Sequence, residues 1–215
     1  MITPRPRALF IDLADMPSLA AAVTLSDRER TVAWHPEAWC EPADRHVEML
    51  RLHERQFTLR ESLICRSLNP PARPDDQHPE RADGLDIGAM LIAACRDARR
   101  LGCSRVVAPL YAAGDMSRAT AFIEIATTVL DLVDQSEDLL GEAGRPPGAL
   151  AIDLPVVDLD DVQLVDLAED AGAPMASFVP DGPAPALAVA QRQRWRDAFD
   201  ARRLAWPFAG QPARV

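Results

Sequence analysis

The chain contains no lysine, so apart from its four histidines every basic side chain is an arginine. The base composition of a GC-rich genome is the simplest origin of that bias. Its chemical consequence is that no ammonium group is available as a point-charge phosphate ligand, a Schiff-base former or a catalytic amine. Cysteine is sparse. Cys40, Cys65, Cys95 and Cys103 form no CxxC pair and have no histidine at a ligand offset. That spacing argues against a zinc site, and a chain of this size needs no disulfide framework. Cys95, in an apolar helical run, reads as a small buried hydrophobe. Positive charge is also in deficit: the net charge is -10, with no basic stripe to follow a nucleic-acid backbone. Long apolar runs are missing too. "SLAAAVTL" and "GAMLIAAC" are far too short to span a bilayer. "MITPRPRALF" starts basic, but Asp12 and Asp15 interrupt the apolar region a secretory signal requires, which predicts a cytoplasmic protein. Finally, "ALFIDLADMPSLAAAVTL" (Ala8 to Leu25) has no glycine, although it reads as a strand, a tight turn and a helix.

What is present is ordinary globular material: 215 residues, 48% hydrophobic and 26% charged. That suffices for one well-packed domain or for a domain with a small appendage. Strand and helix candidates alternate. Ala8–Ile11 reads as a strand and Pro17–Leu25 as a helix with an early proline. Arg30–Trp34 is a β-branched strand, Pro42–Arg55 an amphipathic helix, and Phe57–Cys65 an ambiguous stretch with room for a third strand. Asn69–Asp83 is a proline-rich loop. A helix over Leu85–Leu101 stops at Gly102, with Arg99 and Arg100 favourably placed in its last turn. "RVVAPL" is a buried strand, Ser117–Val133 a helix, "EAGRPPGA" a turn and "ALAIDLP" a strand. The helix in "DLDDVQLVDLAEDAGAP" is capped by Asp158 or Asp160. It buries Val162, Leu164, Val165 and Leu167, and ends at Gly172 and Pro174. A polar, arginine-rich helix near Leu187–Leu204 follows.

This alternation predicts a doubly wound α/β fold, a parallel sheet with helices on both faces. Ligands of such sheets bind at the carboxyl ends of the strands. The opening turn and the segments after "VVAPL" and "AIDLP" therefore share one rim.

The order and pattern of "LGCSRVVAPLYAAGDMSRATAFIEIA" followed by "IDLPVVDLDDVQLVDLAEDAGAP" resemble the 7-cyano-7-deazaguanine synthases. These belong to the PP-loop (N-type) ATP pyrophosphatase superfamily and form a nitrile from a carboxylate, ATP and ammonia in the preQ0 and queuosine pathway. The resemblance runs through most of the chain and is best from Leu91 to Pro174. It implies an adenine nucleotide alpha hydrolase-like domain over residues 1–176. Residues 177–215 then correspond to the family's zinc-bearing segment, and the source is bacterial.

Against that family pattern, several positions depart. The family's SGGxDS turn aligns with Asp12 to Pro17, followed by Ser18. Both glycines are replaced, Pro17 lacks an N–H, and two carboxylates stand where a polyphosphate would lie. A YGQRHxxE-like segment survives as Arg45, His46 and Glu48, with a plain solvated helical turn as the alternative. The substrate loop is shortened to "GDMSRATAFI", keeping Asp115, Ser117 and Arg118, which also suit a helix start. Asp160 and Asp161 replace a rim cation. Phe178, Ala186, Val189 and Arg192 occupy the four thiolate positions, and none of them can ligate zinc.

The expected protein is thus a non-catalytic or strongly diverged relative. Asp12, Asp15 and Ser18 are the nucleotide-turn remnant, and Arg45, His46, Glu48, Asp115, Ser117 and Arg118 are rim candidates. A protein partner or a second copy is expected, with no nucleic acid, membrane or zinc. The alternative is an active ATP-dependent amide- or nitrile-forming ligase on a deazapurine or other carboxylate, needing ATP and Mg²⁺. On the first reading, elemental analysis of the purified protein finds less than one zinc per chain, and chelators leave its melting temperature unchanged. One bound zinc per chain would overturn it.

Overall fold

The computed structural model describes residues 7–36, 43–65, 84–140, 150–178 and 185–209. The predicted loop at Asn69–Asp83 and the predicted turn "EAGRPPGA" lie outside these residues. Among the described residues five strands and six α-helices follow in the order β1 (Ala8–Ile11), α1 (Met16–Val23), β2 (Thr31–Pro36), α2 (Ala43–Gln56), β3 (Arg60–Cys65), α3 (Gly84–Leu101), β4 (Arg105–Val107), α4 (Met116–Leu140), β5 (Ala151–Asp153), α5 (Asp161–Asp170) and α6 (Pro185–Ala201). All strand pairs are parallel, in the order β3-β2-β1-β4-β5. Growth of the sheet reverses between β1 and β4, so the crevice of this doubly wound fold opens over the carboxyl ends of those two strands. Among the described residues no helix is long and apolar enough to cross a membrane.

The four residues of β1 are completely buried, as a central strand covered on both faces demands. Their alternation divides the core. Leu9 and Ile11 pack with Trp34, Met90, Leu91, Val106 and Phe122 on the α3–α4 side. Phe10 packs with Leu19, Val107, Leu164, Phe178 and Trp195 on the α1–α5–α6 side. The buried Trp34 indole donates to Asp97 on α3 at 3.0 Å, which satisfies the one polar atom of a core tryptophan.

Most predicted elements stand close to their expected limits, with informative differences. α3 ends at Gly102, whose φ of 76° is the left-handed cap that glycine supplies without strain. The ambiguous Phe57–Cys65 divides: Phe57 belongs to the close of α2, packed in the core, and only Arg60–Cys65 is strand. β4 and β5 are shorter than "RVVAPL" and "ALAIDLP", and the last rung between them is the Ala108 N–H donating to the Asp153 carbonyl.

In α5 the cap is Asp160, in a full capping box with Gln163, and not Asp158. Val162 is 36% exposed, against the expected buried stripe, which consists of Leu164, Val165 and Ala168 with Leu167 at its margin. A helix starting at Asp161 puts position 162 in its first turn, beyond the face that meets α1.

The expected polar character of the last helix also fails on one side. Trp195, Ala198 and Phe199 of α6 are buried, and the tail returns Trp206 and Phe208 onto them. The Phe178 ring lies 6.2 Å from Trp195, 6.3 Å from Phe199 and 5.2 Å from Phe208. The aromatic side chains Trp195, Trp206 and Phe208 thus pack on the protein's own core. Phe178→Ala is expected to cost about 3–5 kcal/mol by urea denaturation, the range for truncating a buried ring. A cost below about 1 kcal/mol would show that the cluster does not anchor this segment.

Candidate functional site

The turn between β1 and α1 sits at the head of the crevice and is filled by its own side chains. Asp12 is fully buried; its Oδ1 accepts from the Ala14 N–H at 2.9 Å, while its own N–H donates to the Trp34 carbonyl. Asp15 caps α1, accepting from the Ser18 N–H at 2.8 Å and the Ser18 hydroxyl at 2.6 Å. The Ser18 Oγ in turn accepts from the Leu13 N–H at 2.9 Å. Leu19 donates to the Asp15 carbonyl, and Pro17 has no N–H. Of the eight residues from Asp12 to Leu19, five therefore spend their N–H groups inside the protein and a sixth has none. A phosphate-binding turn works by presenting such groups to an anion.

The backbone still follows a glycine-type path. Ala14 holds a φ of 55° and is fully buried. A left-handed alanine costs about 1–2 kcal/mol relative to an ordinary conformation, so the packing around the turn sustains it. Burial, and secondarily the neighbouring Asp12, push the Asp15 carboxyl above its ordinary range despite the two bonds from Ser18.

A histidine closes the site from the far side. His53 of α2 is completely buried; its Nδ1 lies 2.8 Å from Asp12 Oδ2, and its Nε2 lies 2.7 Å from the Ser177 carbonyl. A carbonyl only accepts, so Nε2 carries a proton and donates it to Ser177. Asp12 and the Ser177 carbonyl outweigh the desolvation penalty and raise the His53 pKa. His35 of β2 adds a bond from Nδ1–H to the Asp12 carbonyl at 2.8 Å. The network thus ties β1, β2, α2 and the start of the C-terminal segment to one carboxylate.

A second closed group stands on the rim beyond β4 and β5. The Tyr111 hydroxyl donates to Asp161 Oδ1. Arg194 of α6 donates from Nε to Asp161 Oδ2 at 2.6 Å and from Nη2 to the Tyr111 oxygen at 2.9 Å. Its guanidinium lies 5.3 Å from the Tyr111 ring and 5.6 Å from that of Trp195. Asp161, the anion expected at a cation position, is thus neutralised by an arginine from the following helix. Burial, then Asp161, drives the Tyr111 pKa upward. A shallow groove of about 450 Å³ opens between α5 and α6 beside this group, and no turn residue lines it.

The rim candidates that are described stand apart from the turn. Positions 45 and 46 fall in α2, but the Arg45 and His46 side chains lie outside the described residues; Glu48 is exposed. Asp115 caps α4, accepting from the Ser117 and Arg118 N–H groups at 2.9 and 3.2 Å, while Arg118 stacks over Phe122. Sequence reasoning missed His53, Tyr111 and Arg194 as site residues. For His53 a signal existed: Leu50, His53 and Phe57 follow one another at helical spacing, which puts a histidine on the buried face of α2.

The fold is similar to that of the U34-tRNA thiolase NcsA from Methanococcus maripaludis, determined with its 4Fe-4S cluster, at a TM-score of 0.51 and 13% identity over 91% of this chain. The chain spans 65% of that protein's length. At this identity the likeness establishes the fold alone, a doubly wound α/β architecture with a parallel sheet. No protein-family model matches the sequence, and neither does any curated protein.

Ser18 is the cheapest way to test the closed turn. Ser18→Ala is expected to cost about 1–3 kcal/mol in chemical denaturation, because the Leu13 N–H loses its acceptor and Asp15 loses a donor. An unchanged midpoint would refute the network.

Proposed function

We propose that this chain employs the PP-loop ATPase-like fold without the phosphate chemistry, as a binding or structural protein that acts beside another protein or a second copy of itself. The carrying observation is the occupancy of the β1–α1 turn by Asp12, Asp15 and Ser18, whose side chains consume the donors that a pyrophosphate would need. A polyphosphate entering there meets two carboxylates, an alanine Cβ at Ala14 and the Pro17 ring. Two unit charges 4 Å apart repel by about 4 kcal/mol at an effective dielectric of 20. The replacement of the rim lysine by Asp161, and the shortened loop at Asp115–Arg118, support the same reading. Descent from a 7-cyano-7-deazaguanine synthase ancestor accounts for the order of these segments.

Calorimetric titration with Mg-ATP is expected to give no heat of binding, and 5 mM-scale Mg-ATP no rise in melting temperature; a ligand at 100 times its Kd stabilises by about 2.7 kcal/mol. A saturable rise, or AMP released in the presence of a carboxylate substrate and ammonia, would overturn the proposal in favour of an ATP-dependent ligase.

A further inference from the structure

We infer that His53 is a proton-operated clasp, which fastens the stretch around Ser177 and Phe178 over the β1–α1 turn when both ring nitrogens are protonated and lets it go when one proton leaves. The inference rests on the geometry of the buried ring and stands whether or not a nucleotide binds.

The Nε2 proton is fixed by the Ser177 carbonyl at 2.7 Å. The 2.8 Å contact between Nδ1 and Asp12 Oδ2 then needs a proton of its own, since two bare lone pairs repel. The clasp holds one proton more than a neutral ring beside an ionised carboxylate. Removing it leaves Asp12 buried without its counter-charge, and an orphaned buried ion is the costly half of a broken pair. Groups around the ring reinforce the protonated form. Asp15 in the same turn acts on His53 as a further negative charge, and Phe57 covers one edge at 5.9 Å. His35 approaches Asp12 from β2 through a carbonyl, and Glu54 follows His53 on α2.

The direction follows from linkage. The folded pKa of His53 lies above its ordinary 6.5, so the stabilisation is complete below pH 6.5 and is lost as pH rises through the folded value. The one proton left on the neutral ring is held at Nδ1 by the buried Asp12 carboxylate, a stronger acceptor than a carbonyl, so the bond that lapses is the one from Nε2 to Ser177. Phe178 comes next in the chain and anchors the aromatic cluster that carries α6.

Amide hydrogen exchange of the full chain between pH 6 and 9, corrected for intrinsic rates, tests this. Protection of peptides covering residues 174–209 is expected to fall about tenfold per pH unit between 6.5 and the folded pKa of His53, with peptides over β1 and β4 affected less. In His53→Gln, which cannot titrate, that slope is expected to vanish. Parallel profiles for the two proteins would overturn the clasp. If His53→Gln fails to fold, nitrogen NMR of the unmodified protein decides: an imidazolium ring at pH 6.5 upholds the clasp, and a neutral ring at that pH refutes it.

Discussion

Two hydrogen bonds of one buried ring, from His53 to Asp12 and to the Ser177 carbonyl, join parts of the chain that lie 41 and 124 residues apart. The strand-to-helix turn, the second helix and the beginning of the C-terminal segment meet there without an intervening solvent layer. A buried ion pair adds little net stability over well-packed apolar residues, but breaking one side costs about 3–5 kcal/mol. Such a pair therefore selects one arrangement of these segments over near alternatives more than it deepens the native well. The two core clusters supply the depth.

The same constraint explains why the head of the crevice is filled by the protein's own side chains. A doubly wound sheet needs its central strand, the following helix and a sharp reversal between them, and this chain retains all three. The reversal keeps a left-handed residue at Ala14, where glycine would be free of strain. The polar groups exposed by that path still need partners; Leu13, Ala14 and Ser18 find them within the turn, and Asp12 finds others on β2 and α2. On the other rim, Tyr111, Asp161 and Arg194 satisfy one another in a comparable way.

The fold was largely legible because its determinants are local. Apolar runs gave β1 and β2, Gly102 and Gly172 marked helix ends, and the Asp160–Gln163 pair is a cap readable within four residues. The site was legible only where its members are neighbours in sequence, as with Asp12, Asp15 and Ser18. His53 and Arg194 reach their partners across 41 and 33 residues, and no local pattern announces which carboxylate a distant cation will meet. Val162 shows the converse limit: helical periodicity ordered the stripe correctly around Leu164 and Val165, but the neighbouring α1 decides where the covered face stops. The C-terminal helix read as polar because its arginines outnumber its rings, although Trp195 and Phe199 set its orientation.

The ring cluster around Phe178 has one more consequence. Packing of this kind draws its strength from water released by apolar surface, an effect that weakens on cooling and carries a large heat-capacity signature. Ligand-to-metal bonds would give the same segment a different temperature dependence. The attachment of residues 185–209 to the sheet should therefore weaken on cooling as well as on heating, in step with the apolar core it joins.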